Sequence, residues 1–315
     1  MNIITITLNP AFDIHCHCDN FRPFHENLAS VSSKDAGGKG INISRALKEN
    51  GIDNTALVVL GKENADEFRA LISSYGINAQ ELLVDGRIRE NITLHSQEKE
   101  TRISFQGFTA DEYLLKQIEE IISERLDGNT LITFTGSVPK GISVNAIKNT
   151  LCSMRERGAK IVIDSKSFTM QDLVDCRAWL IKPNEEEISE YIGYEISTLR
   201  QAAKEAEKIK AQGIENVMIS LGDVGAALAC VDGRFVAEAP KINAVSTVGA
   251  GDSSIAGFIA AINASLSYQD ALKLALCYGS AACMTEGTAP PMANDIDDLL
   301  EKVQVKQIKE RRDNL

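Results

Sequence analysis

The chain has 315 residues, of which 44% are hydrophobic and 24% are charged. This balance is typical of a globular protein with a substantial core and excludes a disordered or collagen-like chain. The 33 basic and 44 acidic residues give a net charge of −11, so a general electrostatic grip on nucleic acid or on an anionic membrane is not expected.

The cysteines and the first residues indicate the compartment. Seven cysteines are scattered without a CxxC pair, a pattern typical of reduced thiols rather than of a disulfide framework. The chain begins without the basic segment of a signal peptide, and no apolar run approaches the ~20 residues of a membrane helix. These features predict a cytoplasmic protein.

The first elements alternate between strands and helices. An apolar, β-branched run over 3–8 predicts a buried strand, and a glycine-led helical pattern follows that stops at Gly51. The run TALVVLG (55–61) predicts the next strand. Asn64 and Glu67 then match the capping box of a second helix.

The same alternation continues through the rest of the chain. Thr109 and Glu112 match another capping box, before a predicted strand LITFT and a predicted helix over 143–157. Further strands are predicted for AKIVID, AWLIKPN and NVMISLG. Strands separated by helices predict an α/β fold, with a mainly parallel sheet covered by helices on both faces. Residues 249–303 have a helical pattern, and 306–315 are predicted to be a frayed tail.

Two segments, 12–35 and 88–107, alternate with period two instead. Ile92 and Leu94, for example, alternate with the polar residues Asn91, Thr93 and His95. In a strand the apolar and the polar side chains therefore point to opposite faces. We predict that both segments form a small β-sheet, a lid over the edge of the main sheet that excludes water. The remaining ranges form the predicted α/β core: 1–11, 36–87 and 108–315.

The sharpest motif is STVGAGDSS (246–254), which precedes an apolar helical pattern. Gly249 and Gly251 allow successive amides, including that of Ala250, to converge at a helix N-terminus, where an anion such as a transferring phosphoryl group is favoured. Asp252 has two explanations. It is either a helix cap or a base that deprotonates a hydroxyl nucleophile beside the phosphate.

A second glycine-rich helix start is DAGGKGIN (35–42), whose Lys39 adds a positive charge to an anion-accepting terminus. It is not a Walker A loop, because Gly40 follows the lysine, and the first strand does not run into GxGxxG. The alternative is an ordinary helix start with a solvated lysine.

The segment KPNEEE (182–187) follows the apolar run AWLI. Asn184 and Glu187 therefore emerge at the carboxyl edge of a predicted strand, where open α/β sheets bind ligands. Their spacing is that of a capping pair. The alternative is that they hold, directly or through water, a Mg²⁺ ion on nucleotide phosphates, since this ion keeps several waters and few protein ligands.

The run His15-Cys16-His17-Cys18 combines two types of zinc ligand. In a strand the two histidines face one way and the two cysteines the other, so the four cannot close one tetrahedral site. We interpret Cys16 and Cys18 as small apolar residues under the lid. His95, on the polar face of the lid, could reach a substrate, although a solvated side chain is the simpler interpretation.

Five motifs occur in a fixed order: GGKGIN, TGSVP (135–139), KPNEEE, SLGDVGA (220–226) and TVGAGDS (247–253). In this order the chain resembles the PfkB (ribokinase-like) carbohydrate kinases over nearly its whole length. The opening TLNPAFD (7–13) and Arg89 in IREN are most similar to the branch of 1-phosphofructokinases and tagatose-6-phosphate kinases. The resemblance implies a ribokinase-like three-layer domain with a small β-sheet lid.

The resemblance also implies a role for each matching residue. Asp252 would be the base, and the amides of Gly249, Ala250 and Gly251 would bind the γ-phosphate. Sugar hydroxyls would contact Asp13, Gly38 and Asn42. The existing phosphate of the sugar would be held by Lys39, Arg89, Arg102 and Ser137. ATP would face Lys182, Asn184, Ser220, Gly222, Gly225 and Thr247. Glu187 would hold Mg²⁺, directly or through water.

The activity that this resemblance implies is the ATP- and Mg²⁺-dependent phosphorylation of a ketohexose phosphate to a bisphosphate. Fructose 1-phosphate is preferred as the acceptor, and tagatose 6-phosphate is a close second. Two alternatives remain: a kinase for an unphosphorylated sugar or a nucleoside, and a sugar-phosphate sensor without turnover. The family also implies a homodimer that pairs through the lid. Partners are thus ATP and a small phosphosugar, with no nucleic acid and no membrane.

Overall fold

A ten-stranded sheet runs through the part of the chain that the computed structural model describes, residues 1–97 and 99–308. From one edge to the other its strands are β5 (Asn78–Val84), β4 (Thr55–Gly61), β1 (Asn2–Thr7), β8 (Thr130–Thr135), β9 (Lys160–Asp164), β10 (Leu180–Ile181), β11 (Asn216–Ser220), β12 (Gly225–Cys230), β13 (Gly233–Glu238) and β14 (Val305–Ile308). The strands from β5 to β11 are parallel, whereas β12, β13 and β14 form an antiparallel edge. The predicted α/β class is confirmed.

Helices cover both faces of this sheet. They are α1 (Lys39–Glu49), α2 (Ala65–Ser74), α3 (Tyr113–Ser123), α4 (Val144–Glu156), α5 (Met170–Asp175), α6 (Glu185–Ile192), α7 (Leu199–Lys210), α8 (Ala250–Asn263), α9 (Tyr268–Ala282) and α10 (Ala293–Leu300). Alternate residues of the central strands divide between two cores, because successive side chains of a strand point to opposite faces. Ile4 and Ile6 pack with α3, α4 and α7, and Ile3 packs with α1, α8 and α9. No helix in the described residues is long and apolar enough to cross a bilayer.

A separate four-stranded sheet, called here the small sheet, takes strands from both segments with period-two patterns. Its order is β3 (Ser30–Gly37), β2 (Ala11–His17), β6 (Arg89–Ser96) and β7 (Lys99–Ser104). Strands β2 and β6 are parallel, and the other two pairs are antiparallel. Cys16 is buried on one face of β2, while His15 lies on the other. The predicted small sheet is therefore present.

Four strands of the large sheet have no counterpart in the sequence prediction. Strand β12 reads GAALAC, and alanine and glycine are depleted in strands, so its pattern gave no strand signal. The predicted frayed tail is wrong for its first residues, because Lys306–Ile308 belong to β14 and pair with β13. The remainder of that prediction, 309–315, lies outside the described residues.

Two predicted capping boxes are wrong, although helices do begin nearby. Helix α3 begins only at Tyr113, and the Glu112 carboxylate accepts a hydrogen bond from Ser143 Oγ at 2.7 Å instead of capping its own helix. Asn64 precedes α2, but its side-chain amide exchanges two hydrogen bonds with the backbone of Ile88. Tertiary partners thus outcompete the local cap in both places.

Candidate active site

A cavity of about 1290 Å³ lies at the carboxyl ends of the parallel strands, between the large sheet and the small sheet. In open α/β sheets this edge is where ligands bind. Every residue that the sequence singled out for the site lines this one cavity, namely Asp13, Gly38, Lys39, Asn42, Arg89, Arg102, Ser137, Lys182, Asn184, Glu187, Ser220, Gly222, Gly225, Thr247, Gly249, Ala250, Gly251 and Asp252. The fold thus brings together motifs that are far apart in the chain.

The start of α8 forms one wall of the cavity. Gly249 is the N-cap and has φ 79°, a left-handed conformation that favours glycine. The first N–H groups of a helix have no intrahelical acceptor. The amide of Ala250 donates a long hydrogen bond of 3.4 Å to the backbone oxygen of Thr247, just before the helix, and both Ala250 and Gly251 line the cavity. A Cβ atom on Gly251 would lie 3.1 Å from Lys182 Nζ, so this glycine lets a cation approach the helix start.

Asp252 is the third residue of α8 and not its N-cap, so the interpretation of Asp252 as a helix cap is wrong. The residue is only 6% exposed, and its Oδ2 accepts a hydrogen bond from Asn42 Nδ2 at 2.8 Å. Burial raises the pKa of the Asp252 carboxyl to about 6, against the opposing charge of Lys39. A carboxyl with this pKa is ionised at neutral pH but remains a usable proton acceptor.

Asp164 is a site residue that the sequence analysis missed. It is the last residue of β9, is 7% exposed, and its Oδ2 accepts a hydrogen bond from Lys39 Nζ at 2.8 Å. Burial would raise the pKa of Asp164, but the charges of Lys182 and Lys39 outweigh it and hold this pKa below its usual value. The available signal in the sequence was an acidic residue at the end of an apolar strand, as in AKIVID.

Lys39 therefore lies between two acids. Burial alone would lower its pKa, but Asp164 and Asp252 outweigh that effect and raise it. Its ammonium group contacts Asp164 directly. Together with Lys182, which is 6% exposed, the cluster holds two positive and two negative side chains, so each buried charge has a partner of opposite sign.

The small sheet supplies the opposite wall. Asp13 Oδ1 accepts a hydrogen bond from Asn91 Nδ2 at 2.9 Å, and burial raises the pKa of this aspartate. A Cβ atom on Gly37 would lie 1.9 Å from Asp13 Oδ2, so only glycine leaves space for the carboxylate. Arg102 lines the same wall and pairs with Glu100 at 3.1 Å.

Arg89 and its neighbours form a polar corner of the cavity. Arg89 Nη2 donates to the backbone oxygen of Asn9 at 3.3 Å and to Ser137 Oγ at 3.4 Å, and burial lowers the pKa of Arg89. Asn9 Nδ2 donates to the same hydroxyl at 3.1 Å. Asn9 also lines the cavity, but the sequence analysis gave it no role, although it lies within the motif TLNPAFD.

The far end of the cavity is built from α6 and the antiparallel edge. Asn184 and Glu187 form the predicted capping box, with both of its hydrogen bonds present at 2.8 and 3.1 Å. Gly225 has φ 128°, and a Cβ atom there would lie 2.1 Å from the backbone oxygen of Ala237. Apolar side chains complete this end, among them Ala226, Ile242, Leu276 and Cys283.

The family model described as pfkB family carbohydrate kinase matches residues 9–295. The chain belongs to this family. As a pfkB carbohydrate kinase it is a phosphotransferase that acts on sugars, and members of the family use ATP.

Curated relatives of this kinase cover almost its full length. The 1-phosphofructokinase of Haemophilus influenzae is 30% identical over 98% of this chain and 99% of its own length. That of Escherichia coli is 34% identical over 89% of this chain and 90% of its own length. The solved structure of phosphofructokinase-2 from Escherichia coli in complex with substrates and products has a TM-score of 0.88 over 96% of this chain and 99% of that chain, at 23% identity. The last comparison confirms the ribokinase-like fold.

Ionisation of Asp252 should lower the free energy of unfolding of the kinase. Because its folded pKa of about 6 lies above the value of 3.8 for an unperturbed aspartate, the protonated form favours the folded state, and this contribution is lost as the pH rises from about 4 through 6. We expect Asp252→Asn to raise the free energy of unfolding at pH 8 by up to about 3 kcal/mol. Urea unfolding at several pH values measures this difference.

The same comparison at pH 4.5 should show a smaller gap of about 1 kcal/mol, because Asp252 is then protonated in the folded state while the unfolded chain is still mostly ionised. Asp298→Asn is the matched control, since Asp298 is exposed on α10 and should change little at either pH. A stability gain of Asp252→Asn that is equal at both pH values, or a loss at pH 8, would contradict the assigned ionisation.

Proposed function

We propose that this kinase transfers the γ-phosphoryl group of ATP to the 6-hydroxyl of fructose 1-phosphate, giving fructose 1,6-bisphosphate, with Asp252 as the general base. The observation that carries the proposal is the buried Asp252 carboxylate at a glycine-led helix start, within the cavity that also contains Arg89. The choice of sugar phosphate is supported by the curated relatives named 1-phosphofructokinase.

In this proposal Asp252 accepts the proton of the acceptor hydroxyl as the oxygen attacks phosphorus. Asn42 Nδ2 donates to Oδ2 of Asp252 at 2.8 Å, which orients the carboxylate and leaves Oδ1 for the hydroxyl. A base is most effective when its pKa is close to the working pH, and burial places the pKa of Asp252 at about 6.

The phosphoryl group in transfer is stabilised by charge and by position. The amides of Gly249, Ala250 and Gly251 lie at the N-terminus of α8, where the helix dipole and free N–H groups favour an anion. Lys182 Nζ lies beside Gly251 and adds a positive charge. Phosphoryl transfer requires mainly such positioning and electrostatic stabilisation.

The existing phosphate of the sugar is assigned to the polar corner around Arg89. Arg89 offers a guanidinium fork suited to phosphate, and its Nε is buried without a hydrogen-bond partner. Ser137 Oγ and Asn9 Nδ2 lie at the same corner. The Lys39 ammonium group is paired with Asp164. We therefore propose that Lys39 attracts the phosphate through its positive charge, which lies beside Asp252.

ATP is assigned to the end of the cavity near α6 and the antiparallel edge, where Lys182, Asn184, Ser220, Gly222, Gly225 and Thr247 line the wall. Among the residues that the structure describes, no three acidic, histidine or cysteine side chains cluster as a metal site. This fits Mg²⁺, which keeps several waters and is bound through one or two carboxylates plus phosphate oxygens. We assign Glu187 as that carboxylate, and the ion when bound would neutralise phosphate charge.

We also propose that the small sheet closes over the cavity as a lid and pairs with a second copy of the chain. Segments 12–35 and 88–107 carry several exposed apolar side chains, namely Phe24, Leu28, Val31, Ile103 and Phe105. Exposed apolar patches and open sheet edges favour association. Light scattering is expected to give twice the chain mass of 34.3 kDa, and a monomeric mass at micromolar concentration would contradict the dimer.

Asp252→Asn should abolish most of the catalysis without preventing substrate binding. The amide has the shape of the carboxylate but cannot accept the proton, so we expect kcat to fall by about 10²- to 10⁴-fold. ADP release with saturating ATP and fructose 1-phosphate measures kcat, and Asp298→Asn should retain full turnover. Near-normal turnover of Asp252→Asn would refute its role as the base.

Arg89→Gln should discriminate phosphorylated from free sugars. Loss of a charge-assisted hydrogen bond costs about 1.5–3 kcal/mol, so KM for fructose 1-phosphate should rise by about 10- to 100-fold, while KM for ATP changes little. Arg87→Gln is the matched control, because Arg87 is 57% exposed and pairs with Glu90. Equal rises in KM for fructose 1-phosphate and for free fructose would count against a phosphosugar substrate.

The assay panel contains fructose, tagatose and ribose, each with and without phosphate. Preference for tagatose 6-phosphate, or for an unphosphorylated sugar, would replace the proposed acceptor. Binding of a sugar phosphate by calorimetry without ADP release would indicate a sensor rather than an enzyme.

A further inference from the structure

Two histidines on the cavity-facing side of the small sheet are in contact. His15 Nδ1 and His95 Nε2 are 3.1 Å apart, and the two rings are stacked with centroids 5.4 Å apart. His15 lines the cavity. His95 is therefore not the simply solvated side chain that the sequence suggested, and neither histidine has a role in the mechanism described above.

The strand register explains this arrangement. On β2, His15 follows Asp13 by two residues, so both side chains lie on the same face. On the neighbouring strands, His95 lies directly opposite Glu100 in the antiparallel pair of β6 and β7, and His95 Nδ1 is 3.5 Å from Glu100 Oε1. Glu100, His95 and His15 thus form a row from the exposed edge of the small sheet to the cavity.

The carboxylate at the end of this row favours one tautomer of each ring. An ionised carboxylate only accepts hydrogen bonds, so Glu100 favours the hydrogen of His95 on Nδ1, and Nε2 of His95 becomes an acceptor. The facing Nδ1 of His15 must then donate. In the neutral ring only one nitrogen carries a hydrogen, so Nε2 of His15 presents a lone pair.

The ring of His15 lies beside the segment that contains Gly287 and Thr288. Nε2 is the ring atom nearest to Gly287, and a Cβ atom on that glycine would lie 3.3 Å from it. The next residue, Thr288, has its Cα 3.9 Å from the position of a Cβ on Gly249. Since His15 and Thr288 both line the cavity, the His15 ring lies at the end of the cavity where α8 begins.

We propose that His15 is a specificity-determining residue whose Nε2 accepts a hydrogen bond from a hydroxyl of the acceptor sugar. His95 and Glu100 are positioning residues that act through His15. Asp13 and His15 then form a pair of acceptors on one face of β2, which suits the hydroxyl groups of a sugar. The inference rests on the proposed function only in taking the acceptor to be a sugar.

The test uses steady-state ADP release by the full chain, with the sugar and ATP varied separately. His15→Phe keeps a ring but removes the acceptor. Loss of a neutral hydrogen bond is worth about 0.5–1.5 kcal/mol, so KM for fructose 1-phosphate should rise by about 3- to 10-fold, with KM for ATP unchanged. His17→Phe is the matched control, since His17 lies two residues further on the same strand and is exposed.

Conservative variants separate the hydrogen bond from a structural effect. Glutamine reaches the position of Nε2, so His15→Gln should keep the wild-type KM, whereas asparagine reaches only the position of Nδ1, so His15→Asn should behave like His15→Phe. This pair also keeps the test decisive where His15→Phe folds poorly. His95→Phe should raise the sugar KM in the wild type but add nothing in the His15→Phe background, because His95 acts through His15.

Deoxy analogues of fructose 1-phosphate identify the hydroxyl. We expect the analogue that lacks the hydroxyl bound by His15 to have the same KM with wild type and with His15→Phe. This KM should equal the KM of fructose 1-phosphate with His15→Phe. An unchanged sugar KM in His15→Phe, an equal rise for ATP, or identical values for the Gln and Asn variants would overturn the proposal.

Failure of the proposed function gives a different result. If wild type turns over another sugar of the panel, that sugar takes the place of fructose 1-phosphate in the same comparison. If no sugar is turned over, calorimetric Kd values of each sugar for wild type and His15→Phe test His15 directly. A Kd that is the same for both proteins, or binding of no sugar at all, would overturn the assignment of His15.

Discussion

Burial of the Asp252 carboxylate among Lys39, Lys182 and Asp164 is the electrostatic constraint on which the site depends. A buried charge is tolerated only when opposite charges and hydrogen bonds replace water. Here the Asn42 amide and the two ammonium groups do so incompletely, which leaves the pKa of Asp252 at about 6. The chain thus retains a carboxylate that lowers its stability at neutral pH, which agrees with the proposed role of Asp252 as the base.

The constraint also explains the backbone around Asp252. Gly249 in a left-handed conformation and Gly251 without a side chain allow α8 to begin against Lys182. On the facing helix, Gly38 with φ 137° plays the same part before Lys39 and Asn42. Two glycine-led helix starts therefore converge on one point. Helix α8 contributes Asp252, and α1 contributes Asn42, which binds Asp252, and Lys39, which binds Asp164.

The small sheet has a different physical character from the core. Its cavity-facing side is polar, with Asp13, His15 and Arg102, while Cys16 is buried on the other side. In the core Lys39 is paired with the buried Asp164, whereas on the small sheet Asp13 and His15, the proposed acceptors, line the cavity. This division suits a site in which the core performs the transfer and the small sheet recognises the sugar.

Much of this was predictable from the sequence, because periodicity and glycine-rich motifs report local structure. Alternating apolar patterns gave the α/β order and the small sheet, and five ordered motifs gave the lining residues and the family. Local patterns did not give the antiparallel edge β12 to β14, because β12 consists mostly of alanine and glycine and the apolar runs of β13 and β14 are short. Nor could they give the partners of Glu112 and Asn64, which come from distant segments. They also could not pair Asp164 with Lys39 or His15 with His95. Those contacts join residues 125 and 80 positions apart, and only packing of the whole chain decides such distances, burial and the pKa of Asp252.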